Sequence, residues 1–259
     1  MAILPVLQAL AAAVLGLLFG SFASLAAWRL PRGGQIFSGR SQCPHCRRSL
    51  GAKHLVPVIS YLLSAGKCRH CGAPIGARYP LIELSCALLA YLAYAAAGPG
   101  LEAVLLGLLG VGLVIITAVD LEHQIIPDQA LLALGGLGVL YWAMPGNGSG
   151  EWLNAALGAG AGFAIAATLA AVFRRFKGRE SLGFGDVKFF AVAGLWVGLG
   201  ALADFMLLAG LAGILFAVAW RWRGKGEIFP FGPALAFSLY CNAVLAVAGL
   251  PQPALLIFR

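Results

Sequence analysis

The sequence predicts an all-α polytopic membrane protein of about eight transmembrane helices, with a small cytoplasmic four-cysteine zinc-binding loop domain. Three observations predict it. Apolar residues make up 61% of the 259 and charged residues only 11%, against about 45–50% and about 25% in soluble domains. The apolar residues fall in long continuous runs, not in the alternating segments of roughly 10 residues that build transmembrane barrels. The 18 Lys and Arg residues are not scattered but clustered between those runs. Low charge with high hydropathy excludes a disordered chain, and 35 glycines without a Gly-X-Y period exclude collagen.

The elements follow in order. A membrane-spanning helix needs about 20 mostly apolar residues. Ile3–Trp28 satisfies this with one amide, Gln8, and lacks the basic start and short apolar core of a cleaved signal peptide. A polar stretch, Arg29–Pro80, follows. Further apolar runs cover Leu81–Ala97, Leu101–Val119, Gln129–Met144, Trp152–Phe173, Phe189–Gly200, Phe205–Trp220 and Pro233–Leu250. The organisation expected is thus a first transmembrane helix at 1–28, a cytoplasmic zinc-binding loop domain at 29–80 and a seven-helix membrane domain at 81–259.

The formal charge of +8 is explained by topology. Nine basic residues lie between Arg29 and Arg78, five between Arg174 and Lys188, and three at Arg221, Arg223 and Lys225. With alternating spans, all three clusters share one side, and the positive-inside rule makes that side cytoplasmic and both termini periplasmic. The lipid bilayer is therefore the expected partner of this charge, and nucleic acid is not. In a loop on the opposite side, Asn147-Gly148-Ser149 matches a glycosylation acceptor, although a Gly-rich turn explains it as simply.

Four of the six cysteines occupy the first cytoplasmic loop as Cys43-Pro-His-Cys46 and Cys68-Arg-His-Cys71. Two such C-x2-C knuckles supply four thiolates, the donor set of a tetrahedral structural zinc site with no open position. A loop with few large apolar side chains gains folding energy from the metal, and cytoplasmic placement disfavours disulfides. His45 and His70 are substitute ligands on the same spacing. Cys86 and Cys241, inside apolar runs, read as small core residues.

Carboxylates at membrane depth are expensive and point to function. Asp120 closes the third run and Asp186 opens the sixth, both on the cytoplasmic side although far apart in sequence. Two carboxylates at one depth can share a proton, one activating water while the other protonates a carbonyl. Gly183 and Gly185 let a backbone approach Asp186 closely. The plainer alternative makes both aspartates helix-end carboxylates, as Asp128 after Pro127 and Glu83 after Pro80 are read. Glu122 and His123 read as solvated loop residues, and Lys188 as the partner of a nearby carboxylate or a lipid phosphate.

This ordered series resembles the type IV prepilin peptidases over nearly the whole chain. The matching pieces are Gly20-Ser-Phe22 with Arg29-Leu-Pro31, the two cysteine knuckles, Leu55-Val-Pro57 with Ser60-Tyr61, and Ala77-Arg78-Tyr-Pro80 with Glu83-Leu84. Then come Asp120 with Ile126-Pro127-Asp128, Gly183-x-Gly185-Asp186-x-Lys188, and Phe231-Gly232-Pro233. The resemblance implies a bifunctional inner-membrane enzyme. It cuts the leader of prepilins and pseudopilins after a glycine at the cytoplasmic face, then N-methylates the new amino terminus from S-adenosylmethionine. It maps the catalytic pair onto Asp120 and Asp186. The chain departs from the family at Ser24, where Asn is common, and at Lys53-His54, where an aromatic-acidic pair is common. A presenilin-like intramembrane protease without methylation, or a proton-coupled transporter, would also use paired aspartates, but neither calls for the cysteine knuckles.

Overall fold

The computed structural model describes residues 3–36, 40–144, 149–177, 182–226 and 228–251. Among them there are helices and turns but no strand, only two isolated β-bridges. The chain divides into two compact units, Met1–Ala118 and Val119–Arg259. The Asn147-Gly148 part of the glycosylation pattern lies outside the described residues.

In the first unit, α1 (Ile3–Arg29) packs along α3 (Arg78–Ala97). Gly16 and Gly20 make the approach possible. A Cβ at Gly20 would sit 2.6 Å from the Glu83 Cα, and one at Gly16 would sit 2.6 Å from the Cys86 carbonyl oxygen. Small residues one turn apart are how helices pack without a hydrophobic drive between them. The Tyr94 hydroxyl donates to Gln8 Oε1 at 3.0 Å, which satisfies the one amide of the first apolar run. Between these helices lie two 3-10 turns (Leu30–Arg32 and Ala52–His54) and a short helix, α2 (Ile59–Leu63).

In the second unit, α5 (Asp128–Trp142), α6 (Ser149–Lys177) and α9 (Gly232–Val247) pack against α7 (Phe184–Val197), and α8 (Leu202–Trp222) packs against α9. The backbones of α6 and α7 meet through Gly158, Gly162 and Gly194. Two indoles tie α5 to α7: Trp196 Nε1 donates to the Leu134 carbonyl at 2.9 Å and Trp142 Nε1 to the Leu195 carbonyl at 2.7 Å. Indole N–H groups in an apolar interior need such acceptors. Buried Ser238 does the same from α9, donating to the Phe205 carbonyl at 2.7 Å.

All eight apolar runs fold as helices, but among the described residues five helices have the length and composition to cross a membrane: α1, α3, α4 (Leu101–His123), α6 and α8. The other three, α5, α7 and α9, have 15, 14 and 16 residues. At 1.5 Å per residue they reach about 21–24 Å, short of a hydrocarbon core of about 30 Å. Two boundaries also move. Helix α4 continues through Glu122 and His123, which are therefore helical and not loop residues, and α7 begins at Phe184, so Asp186 falls in its first turn.

Candidate active site and metal centre

In the second unit, Asp120 sits in the last turn of α4 and is 5% exposed. Its Oδ2 accepts the Gly232 backbone N–H at 2.7 Å. Gly232 opens α9 with Pro233 behind it, so its amide is one of the unpaired donors of a helix start. A Cβ at Gly232 would lie 2.7 Å from Asp120 Oδ2, so a side chain there would have to displace the carboxylate. Asp186 is partly exposed, and its Oδ2 accepts the Gly183 N–H at 3.1 Å, the reciprocal bond of a helix N-terminus. The two aspartates lie close enough for their charges to act on each other. Each has one oxygen bonded to a backbone amide.

The corner before α5 packs against this site. Gly185 abuts Ile126, since a Cβ at Gly185 would be 3.1 Å from the Ile126 Cβ. Lys188 donates to both oxygens of Asp128, at 2.8 and 2.9 Å. The partner expected for Lys188 is thus a carboxylate, and the first-turn reading of Asp128 holds.

In the first unit, the sulfurs of Cys43, Cys46, Cys68 and Cys71 lie within 4.8 Å of one another. Cys43 Sγ and Cys71 Sγ are 3.9 Å apart. A tetrahedron with metal–sulfur bonds of about 2.3 Å has edges of about 3.8 Å, so the donor set fits zinc. The knuckles repeat one backbone design. Cys43 N–H donates to the Arg48 carbonyl and Cys68 N–H to the Ala73 carbonyl. The Cys43 carbonyl accepts from Arg47 and the Cys68 carbonyl from Gly72, and each turn passes through a left-handed residue, Arg47 at φ 55° or Gly72 at φ 71°. The first cysteine of each knuckle is buried and the second exposed.

Amides of Cys71 and His70 pointing at Cys68 Sγ, aided by the Cys43 and Cys71 thiols, push the Cys68 thiol down to about 6. The Ala73 amide favours the Cys71 thiolate, but desolvation and the thiols of Cys68, Cys46 and Cys43 outweigh it and push Cys71 up to about 11. One thiolate forms readily and further negative charge is resisted, which is the condition a divalent cation relieves. The histidines stay outside the cluster; His70 Nδ1 meets the Arg48 guanidinium at 3.1 Å.

Beside the knuckles is a cavity of about 500 Å³ whose walls include Ser24 and Trp28 of α1, His54, Tyr61, and Tyr79 and Glu83 of α3. Glu83 is not a first-turn carboxylate, because α3 already starts at Arg78. It is 8% exposed, and its Oε2 accepts the N–H of Val58 at 2.7 Å. That bond holds a β-branched residue at φ 59°, a conformation such residues rarely adopt.

Sequence reasoning brings forward both aspartates and all four cysteines, and the structure gathers each set. It misses the Gly232 amide, because nothing local pairs a glycine with a carboxylate 112 residues away; the Gly-Pro pair opening a helix was the available signal. It also misses the cavity.

Residues 14–97 match the bacterial peptidase A24 N-terminal domain, and residues 103–218 match the type IV leader peptidase family. Asp120 and Asp186 fall inside the second match and Gly232 beyond it. The chain is 40% identical over 213 residues to the prepilin leader peptidase/N-methyltransferase of Burkholderia pseudomallei, covering 80% of this chain and 67% of that protein. It is 35% identical over 256 residues to the protein of that name from Neisseria gonorrhoeae, covering 88% and 87%. With the Stutzerimonas stutzeri protein of that name identity is 34%, over 90% and 89%. No solved structure matches. The chain belongs to the type IV leader peptidase family.

Proposed function

We propose that this protein is a bacterial inner-membrane peptidase that removes the leader of type IV prepilins or pseudopilins after a glycine, and that it N-methylates the new amino terminus. Asp120 and Asp186 are the catalytic pair. What supports this is their juxtaposition: two carboxylates from distant segments, each with one oxygen tied to a backbone amide. In such a pair one carboxylate is ionised and the other protonated. The ionised one takes a proton from water as the water attacks the scissile carbonyl. The protonated one hydrogen-bonds the carbonyl oxygen as charge develops and returns a proton to the leaving amine.

Cys43, Cys46, Cys68 and Cys71 hold a structural zinc ion that shapes the loop between α1 and α3. The positive-inside rule supports a cytoplasmic position for the chemistry and a periplasmic one for both termini. There the enzyme meets the basic leader of its substrate before the pilin is exported. S-adenosylmethionine supplies the methyl group. The test is incubation of the detergent-solubilised enzyme with a purified prepilin, with and without the donor, and mass measurement of the product. Loss of the leader alone without donor, and leader loss plus one methylene with donor, is the expected pair of results. An intact prepilin overturns the assignment.

A further inference from the structure

A peptide that is cut must lie extended at the catalytic groups, and an extended chain has given up the hydrogen bonds of a helix. At a membrane face unpaired backbone groups are costly, so the enzyme has to offer them partners. The second unit has a stretch of backbone placed to do so. Residues Ile228–Phe231 belong to no helix or turn and run directly into Gly232, whose amide holds Asp120.

The residues of this stretch differ in what they already bond. The Ile228 carbonyl accepts from Gln124 Nε2 at 3.4 Å. The Phe231 carbonyl accepts the Ala234 and Leu235 N–H groups at the start of α9. Pro230 has no N–H to give. Between them stands Phe229, and no backbone group among the described residues bonds its N–H or its carbonyl. A residue before proline favours the extended region. In an extended chain the N–H and carbonyl of one residue point to the same side, and two antiparallel residues exchange two bonds that way. The half-buried Phe229 ring meets the Phe231 ring edge-on at 6.5 Å, which holds the backbone in place, while Ile228 is 75% exposed. One side chain in and the next one out is the alternation of a strand.

We propose that Phe229 is the docking edge for the substrate, its N–H and carbonyl pairing with one residue of the extended backbone beside the scissile bond. The assignment rests on the peptidase reading above. Main-chain pairing of this kind gives affinity, and neighbouring side chains give selectivity. Exposed apolar side chains stand beside the residues that build the site: Phe184 next to Gly185, Ile125 next to Ile126, and Ile228 itself. Phe184 is held by Lys188, whose Nζ lies 4.8 Å from the centre of its ring. Toward the aspartates the pairing ends at Phe229, because the Phe231 carbonyl is committed to α9.

The test is steady-state cleavage of a synthetic prepilin peptide by the unmodified enzyme in detergent. Backbone amides flanking the scissile bond are replaced one at a time by esters, which removes a donor and nearly keeps the shape. KM should rise about two- to tenfold, the range of one hydrogen bond, at one residue and stay unchanged at both of its neighbours. Phe229→Pro removes the donor on the enzyme's side and should raise KM for the all-amide peptide by a similar factor, with kcat reduced less. A scan without such a position, or one in which adjacent residues respond alike, overturns the docking edge and leaves the exposed apolar side chains as lipid contacts. An unchanged KM in folded Phe229→Pro overturns it as well. The scan needs no variant, so it decides even if Phe229→Pro fails to fold. A peptide that is cut with a flat scan refutes only the edge, whereas an all-amide peptide left intact refutes the peptidase reading.

Discussion

The Gly232 amide holds Asp120 Oδ2 at 2.7 Å, across 112 residues of chain and from the first turn of a different helix. This contact fixes the orientation of the Asp120 carboxylate. Gly232→Ala would place a methyl carbon on that oxygen and turn the carboxylate away. A misplacement of about 1 Å can cost on the order of 100-fold. The expected result is a fall of that size in kcat for leader cleavage with KM little changed, measured on a prepilin in detergent.

Asp120→Asn and Asp186→Asn should each abolish cleavage. The amide keeps the size of the side chain but cannot exchange protons. Both variants should remain folded in the membrane, and methylation of an already cleaved pilin should survive in both. Substantial cleavage by either would exclude the pair as the catalytic groups.

The Asp128–Lys188 ion pair ties the start of α5 to the first turn that carries Asp186. Its side chains are 61% and 36% exposed, so it adds little to overall stability. Its effect should instead be on position. Asp128→Asn and Lys188→Gln should each lower kcat by about tenfold, within the range for displaced catalytic groups. The charge-swapped double variant should recover most of the loss. Failure of the swap to restore activity would detach this pair from the reaction.

Removing zinc with a chelator, or replacing Cys43, Cys46, Cys68 or Cys71 by Ser, should loosen the loop between α1 and α3. Methylation should fall further than cleavage, since the cysteines and both aspartates lie in different units. Elemental analysis of reduced protein purified without chelator should find one zinc per chain. Its absence would remove the metal from this account.

Alkaline phosphatase, active only in the periplasm, tests the orientation. A fusion after Asn147 should be active and one after Gly178 inactive, because cationic loops resist translocation. The reverse pattern would move the active site to the other face.

The membrane class, the positions of the apolar helices and the paired knuckles follow from the sequence alone. Hydropathy and C-x2-C spacing are local properties, and the lipid and the metal read them directly. Pro127 likewise announces the start of α5 at Asp128. The shortness of runs such as Phe189–Gly200 is already visible in the sequence; only the tertiary structure set the helix ends, with α7 reaching back to Phe184. It also turned Glu83 from a helix-start carboxylate into the clasp of Val58, and gave Asp120 its amide from Gly232. The reason is common to all of these. A hydrogen bond between residues far apart in the chain leaves no periodicity or spacing to read, and it exists only after the backbones have met.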